Sequence, residues 1–235
     1  MKNRYFGDVN DYRKYGLLRC LLEVTQLSLG VCWLLTPNDE RRDGELRGYL
    51  RNSEKWSKYD PPLYNVLRRL LSPNINRDVE LAKDWGILPG AVYFSELFEA
   101  ELEPRKDYFK RAWSEMADQP LIFFDPDNGI EVPSVPRVRR RSAKHIYWDE
   151  IKDAYEQVHS LVIYQHFPRR KRDDFIREQS DQIAAHLKTR NVSAFLTANV
   201  VFFLVIHPEH GPRFGGIRDY VEHRWSGQIT PVTRD

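Results

Sequence analysis

Continuous apolar runs of strand length recur along this chain, and each stops at a polar motif. Leu121-Ile-Phe-Phe124 runs into Asp125-Pro-Asp-Asn-Gly129. Val201-Phe-Phe-Leu-Val-Ile206 runs into His207-Pro-Glu-His-Gly211. Both are rich in β-branched and aromatic residues and do not alternate with polar ones, the pattern of strands buried on both faces of a parallel sheet. Val31-Cys-Trp-Leu-Leu35 and Ser160-Leu-Val-Ile-Tyr164 repeat the pattern, ending at Thr36-Pro-Asn-Asp39 and Gln165-His166. Short strands are predicted over 91–94, 194–198 and 199–206.

Between these runs the apolar period changes. Tyr15, Leu18 and Leu22 stand at helical spacing and predict a helix over 12–27, broken by Gly30. Similar spacing predicts helices over 105–117, 148–158 and 175–188. Residues 40–102 read as mostly helical, with breaks at Asp60-Pro-Pro62 and Ser72-Pro73. The Pro- and Arg-rich stretch 131–142 predicts a mobile loop. No repeat or linker divides the chain. Strands alternating with helices predict a single α/β catalytic domain over 1–235, a three-layer sandwich with a central, mainly parallel sheet.

Composition narrows the class. A hydrophobic share of 41% with 30% charged residues describes a soluble globular protein. The two cysteines, Cys20 and Cys32, fall in a predicted helix and a predicted strand, which predicts free buried thiols in a reducing cytoplasm rather than a disulfide. The polar first residues lack a signal-peptide core, and no apolar run reaches membrane length, so no membrane partner is expected. The formal net charge of +2 is too small to imply a polyanion partner. Its distribution says more: Arg137, Arg139, Arg140, Arg141 and Lys144 form one basic cluster, and Arg169, Arg170, Lys171 and Arg172 another. Each reads either as a solvated face or as a grip on phosphates.

Strand ends are where open α/β sheets form sites, so Asp125, Asp127, Asn128, His207 and His210 are expected to meet. The carboxylates and carboxamide after residue 124 can orient water, contact a base edge or bind a metal; the same residues can close an Asx-turn, with Gly129 supplying positive φ. His207 can stabilise a departing anion, or His207-Pro-Glu-His210 can be a capped turn. Two histidines without a third ligand do not define a metal site. Gln165 can make paired hydrogen bonds to a nucleobase, with Tyr164, His166 or Phe167 stacking on it; alternating burial would equally explain the segment. Near the N-terminus, Asn10 or Asp11 can cap the first helix. Capping does not account for Asp8, Asn10, Asp11 and Lys14 together, so Asp8, Asp11 and Lys14 are also candidate site residues. Tyr147 and Trp148 read as core or as a stacking surface.

Asp125-Pro126, Gln165 and His207-Pro208, in that order and each after an apolar strand, resemble the uracil-DNA glycosylase superfamily. The resemblance covers about the second half of the chain. It implies a glycosylase-like fold in which Asp125 orients the attacking water, Gln165 reads the base and His207 stabilises the leaving base. Phe123-Phe124 stands where Gly-Gln is usual, and Glu209-His210 where Ser-Pro is. These departures point away from uracil to a bulkier, modified base, as in the bacterial anti-phage glycosylases that excise glucosylated hydroxymethylcytosine. Gly7-Asp-Val-Asn-Asp-Tyr-Arg-Lys-Tyr15 is similar to the N-terminal pattern of the adenine-N6 methyltransferases of large-subunit ribosomal RNA, whose catalytic motif would fall on Asp125-Pro-Asp-Asn128. That likeness implies a Rossmann-like fold using S-adenosylmethionine, yet the first strand here is followed by Thr36-Pro-Asn-Asp-Glu-Arg-Arg42, with no glycine before Gly44.

The expectation is a DNA glycosylase that flips a modified base from DNA and needs no cofactor or metal. A methyltransferase is the alternative, a metal-dependent nuclease using Asp125, Glu131 and Lys144 the third, and a non-catalytic nucleic-acid-binding module the fourth.

Overall fold

The computed structural model describes residues 1–38, 44–71, 76–98, 102–137 and 139–232; of residues 102, 103 and 140 only the backbone is described. The first helix, α1 (Val9–Thr25), begins earlier than its apolar spacing predicts because Asp8 caps it. Asp8 lies in extended backbone, and its carboxylate accepts the N–H groups of Asn10 and Asp11. The cap is therefore neither Asn10 nor Asp11. The helix ends at Gln26, which takes the left-handed conformation at φ 54°.

After α1 come β1 (Leu29–Cys32), the helices α2 (Ser53–Trp56), α3 (Pro61–Leu70) and α4 (Leu81–Asp84), and β2 (Val92–Phe94). Helix α5 (Leu102–Met116) leads to β3 (Leu121–Phe124), followed by the two-residue strands β4 (Gly129–Ile130) and β5 (His145–Ile146). The remainder is α6 (Trp148–Glu156), β6 (Ser160–His166), α7 (Arg172–Leu187), β7 (Val192–Leu196), β8 (Val200–Val205), α8 (Ile217–Arg224) and β9 (Thr230–Val232). The expected helical stretch over 40–102 thus holds, among the described residues, three short helices, a 3₁₀ turn at Gly48–Arg51 and the strand β2, and parts of it lie outside the described residues. The prolines at 61 and 62 start α3 rather than only interrupting a helix: they occupy its first turn while Asp60 accepts the N–H of Leu63.

The seven-stranded sheet runs β2-β1-β3-β6-β8-β7-β9. Neighbours from β2 to β6 are parallel; β8 is antiparallel to β6 and β7, and β9 to β7. Side chains of β3 alternate between two cores. Leu121 and Phe123 join the core that holds α1, α3 and α8; Ile122 and Phe124 join the one that holds α5, α6 and α7. The chain is a three-layer α/β sandwich, and burial on both sheet faces explains the unbroken apolar runs. Cys20 and Cys32 are free and buried. Among the described residues no helix is long and apolar enough to cross a membrane.

The β8 run corrects one expectation. Its last residue, Val205, pairs with Leu161, and its first, Val200, pairs with His166. His207 and His210 therefore leave β8 beside the start of β6, at the opposite end of the sheet from Asp125. Only three residues separate β7 from β8, and a connection that short joins antiparallel strands, since a parallel return needs a dozen or more.

Helix α1 is clamped from behind by the chain's later part. Trp225 is fully buried, and a Cβ on Gly16 would stand 1.9 Å from its ring. Glycine is what lets the indole lie against the helix backbone.

Candidate functional site

The strand order turns about β1, with β2 on one side and β3 on the other, and the crevice beyond the ends of β1 and β3 is where such sheets usually hold a ligand. Here the chain fills it. The α-amino nitrogen of Met1 lies 3.2 Å from the carbonyl oxygen of Leu34, 2.9 Å from that of Asp125 and 2.9 Å from Asp127 Oδ1. Thr36 donates its N–H to the carbonyl of Met1 at 2.8 Å. Met1 and Lys2 are 4% and 2% exposed.

Beside this plug a cavity of about 680 Å³ opens over the ends of β3 and β6, a volume within the roughly 300–1,000 Å³ of small-molecule sites. Asp8, Asn10, Asp11 and Lys14 line it from the start of α1, Asp125, Asp127 and Asn128 from the end of β3, and Tyr164 and His166 from β6. Lys144, Tyr5 and Asn199 also line it. The N-terminal acidic segment and the turn after β3, distant from each other in the sequence, share one chamber.

Its floor is an ion-paired triad. Lys14 Nζ lies 2.6 Å from Asp11 Oδ1 and 2.7 Å from Asp125 Oδ2, and Lys14 is 1% exposed. Position 14 is three residues after Asp11, so both side chains share a face of α1. The ammonium also stands over the rings of Trp33 and Tyr15, at 5.0 and 5.2 Å. Burial pulls the Lys14 pKa down, but the Asp11 and Asp125 charges outweigh it and leave it raised. Burial raises the Asp11 carboxyl to about 7 even though Lys14 opposes the rise. Burial also raises Asp8, against the N–H groups it caps. Asp127 moves the other way: burial acts to raise it, but the α-amino group of Met1, with Lys2 and Lys144, lowers it. Asp125 Oδ1 accepts no hydrogen bond among the described residues.

Other expected residues lie elsewhere or do something else. Gln165 is not available to read a base. Its Oε1 accepts the N–H of Ile130 at 2.8 Å, and its Nε2 donates to the carbonyls of Asn128 and His166 at 3.1 and 2.9 Å. It fastens β4 to β6, with its amide packed where a Cβ on Gly129 would stand (φ +116°). His207 packs its ring on Tyr155, and His210 bonds Ser160, at the far end of the sheet. Glu131, named for the nuclease, accepts the N–H of Trp148 at 2.8 Å and does not line the cavity. Among the described residues no group of three or more His, Cys, Asp and Glu could hold a metal ion.

In the first basic cluster Lys144 lines the cavity, 3.9 Å from Asp127; Arg137 pairs with Asp149, Arg139 and Arg141 are exposed, and the Arg140 side chain lies outside the described residues. In the second, Arg169 and Lys171 are exposed, Arg170 pairs with Glu178 and Arg172 donates to the carbonyl of Ala198. That cluster follows β6 at the cavity's end of the sheet without lining it. Tyr147 is buried between the guanidinium groups of Arg105 and Arg137, and Trp148 stacks on His186.

The sequence reading missed Asn199, whose Nδ2 donates to Asn10 Oδ1 at 3.0 Å; its position in the tight turn before β8 was the available signal. It also missed Met1 and His145, which reach the site only through the fold. The chain matches no protein-family model and no curated protein.

Proposed function

We propose that this protein is a DNA glycosylase that hydrolyses the N-glycosidic bond of a modified base flipped into the cavity, acting in the cytoplasm. The carrying observation is a chamber large enough for a modified base, floored by Asp125, Lys14 and Asp11 beside a switch-point crevice already filled by Met1 and Lys2. Asp125, steadied through Oδ2, orients water and takes its proton as oxygen bonds to the sugar C1′. The bond from C1′ to the base breaks, and the base leaves with the electron pair. Lys144 supplies the positive charge for that anion, the part His207 cannot play from the far end of the sheet. Tyr5, Tyr164 and His166 offer ring surfaces to the base, and the exposed arginines hold phosphates.

The test is incubation of the protein, without added cofactor or metal, with plain DNA and with phage DNA carrying modified cytosines. Released bases are scored by mass spectrometry and abasic sites by alkali cleavage. Base release that disappears in Asp125→Asn supports the reading; no release from either DNA sinks it.

One observation favours a second reading, methyl transfer: the N-terminal segment and the turn after β3, the two parts of the methyltransferase likeness, line the same cavity. The S-adenosylmethionine that such chemistry needs does not fit the crevice between β1 and β3, where Met1 and Lys2 already lie. Calorimetric binding of S-adenosylmethionine would select this reading over the first.

A further inference from the structure

Behind Asn128 stands His145, on β5 and 5% exposed. Its Nδ1 lies 3.1 Å from the carbonyl oxygen of Ile130, and its Nε2 3.2 Å from Asn128 Nδ2. A carbonyl oxygen only accepts, so Nδ1 carries the proton. A neutral imidazole has one N–H, so Nε2 presents a lone pair and the group facing it must donate. The Asn128 amide therefore turns its NH₂ to His145; reversed, it would set Oδ1 against that lone pair. Burial keeps the ring neutral by lowering its pKa. The charges of Arg105 and Lys144 act the same way, against the Ile130 bond and Glu131.

The surrounding backbone is fixed as well. Asn128 donates its N–H to the carbonyl of Lys144 at 2.9 Å, and its own carbonyl accepts from His166 N–H at 3.2 Å and from Gln165 Nε2 at 3.1 Å. Arg105, paired with Glu150, donates to the carbonyls of Ser142 and His145 at 3.2 and 2.7 Å. With one N–H of the Asn128 amide given to His145 Nε2, its second N–H and its Oδ1, which accepts no hydrogen bond among the described residues, are left for the cavity that this residue lines.

We propose that Asn128, oriented by His145, presents a fixed hydrogen-bond acceptor to the cavity and selects bases that carry an exocyclic amino group. Cytosine and adenine have that donor; uracil and hypoxanthine carry a carbonyl at the same place. The inference rests on the nucleobase reading of the cavity and deepens it by naming the substrate class. An acceptor facing a carbonyl leaves both unsatisfied, so the amino-bearing member of each pair binds more tightly, by about 5- to 150-fold, the penalty for one desolvated group left without its partner.

Two measurements test it, neither requiring turnover. Long-range ¹H–¹⁵N spectra at pH 7 report the His145 tautomer: a proton on Nδ1 and none on Nε2 is expected, and the opposite tautomer overturns the proposal. Dissociation constants are then measured for four single-stranded oligonucleotides, identical but for a central deoxycytidine, deoxyuridine, deoxyadenosine or deoxyinosine. The wild type should prefer the amino-bearing member of each pair. His145→Phe, which frees the amide, should bring the ratio near one, as should Asn128→Leu at this exposed position if His145→Phe fails to fold. Equal affinities in the wild type, no binding of any probe, or an undiminished preference in folded His145→Phe or Asn128→Leu overturns the proposal. A preserved preference without base release would instead count against the glycosylase reading alone.

Discussion

Lys14→Met removes the charge at the centre of the triad while keeping most of the side chain's length. Asp11 and Asp125 then remain buried without their shared counter-ion, and breaking a buried pair by removing one partner costs about 3–5 kcal/mol. The loss should depend on pH in a defined direction. The Asp11 carboxyl already sits at about 7, raised chiefly by burial, with Lys14 the largest influence holding it down. Without Lys14 it rises further. A carboxyl whose folded pKa lies above its unfolded value contributes stability that is fully present below the unfolded value and is lost as pH climbs through the folded one. Wild type completes that loss near pH 7; the variant goes on losing stability above it. The gap between the two should widen from pH 7 to pH 9 by up to about 1.4 kcal/mol per pH unit, the slope for one proton. Urea unfolding of both proteins at pH 6, 7, 8 and 9 measures it, with Lys14→Met/Asp11→Asn as the control that flattens the profile. A gap of equal size at all four pH values, or a double variant that tracks the single one, would refute the electrostatic account of the triad.

Gly129→Ala should lower stability by about 1–3 kcal/mol through backbone strain at positive φ, and by more if Gln165 is displaced, because the new Cβ would stand 2.2 Å from Gln165 Oε1. An unchanged melting temperature would count against the clamp between β4 and β6. The combined variant His207→Ala/His210→Ala should retain base release within about twofold, an effect on the order of a few tenths of a kcal/mol. Its abolition with unchanged melting would mean that the chemistry sits at the other end of the sheet. Asp125→Asn should abolish release with little change in the circular dichroism spectrum, and a variant that releases base at the wild-type rate removes Asp125 from the reaction.

What the chain discloses before it folds is the identity of its strands, not their direction. The run at 121–124 is apolar at every position because both faces of β3 are covered, and that signal needs no partner to be legible. The run at 200–205 carries the same signal and would read identically whichever way it ran, which is why His207 was expected beside Asp125. The three-residue gap after β7 held the missing information: with β7 parallel to β6, β8 must run back and deliver His207 to the wrong end for the site. Asp8, Asp11 and Lys14 stood out because one cap could not use them all. Gln165 was misread because its three hydrogen bonds go to the backbone of Asn128, of Ile130 and of its neighbour His166, a demand set by the turn after β3 and invisible in residues 160–166. Met1 and His145 had no local signature, since their roles depend on what the sheet brings beside them.

The contact between Gly16 and Trp225 has a consequence for synthesis. Helix α1 carries one wall of the cavity and leaves the ribosome early, yet the indole that seals its back is translated after every residue that lines the chamber. Until then α1 exposes surface meant for the interior, the kind of exposure that makes a nascent chain prone to aggregation. A product that stopped short of Trp225 would hold each lining residue and still lack the ring that packs against the back of α1.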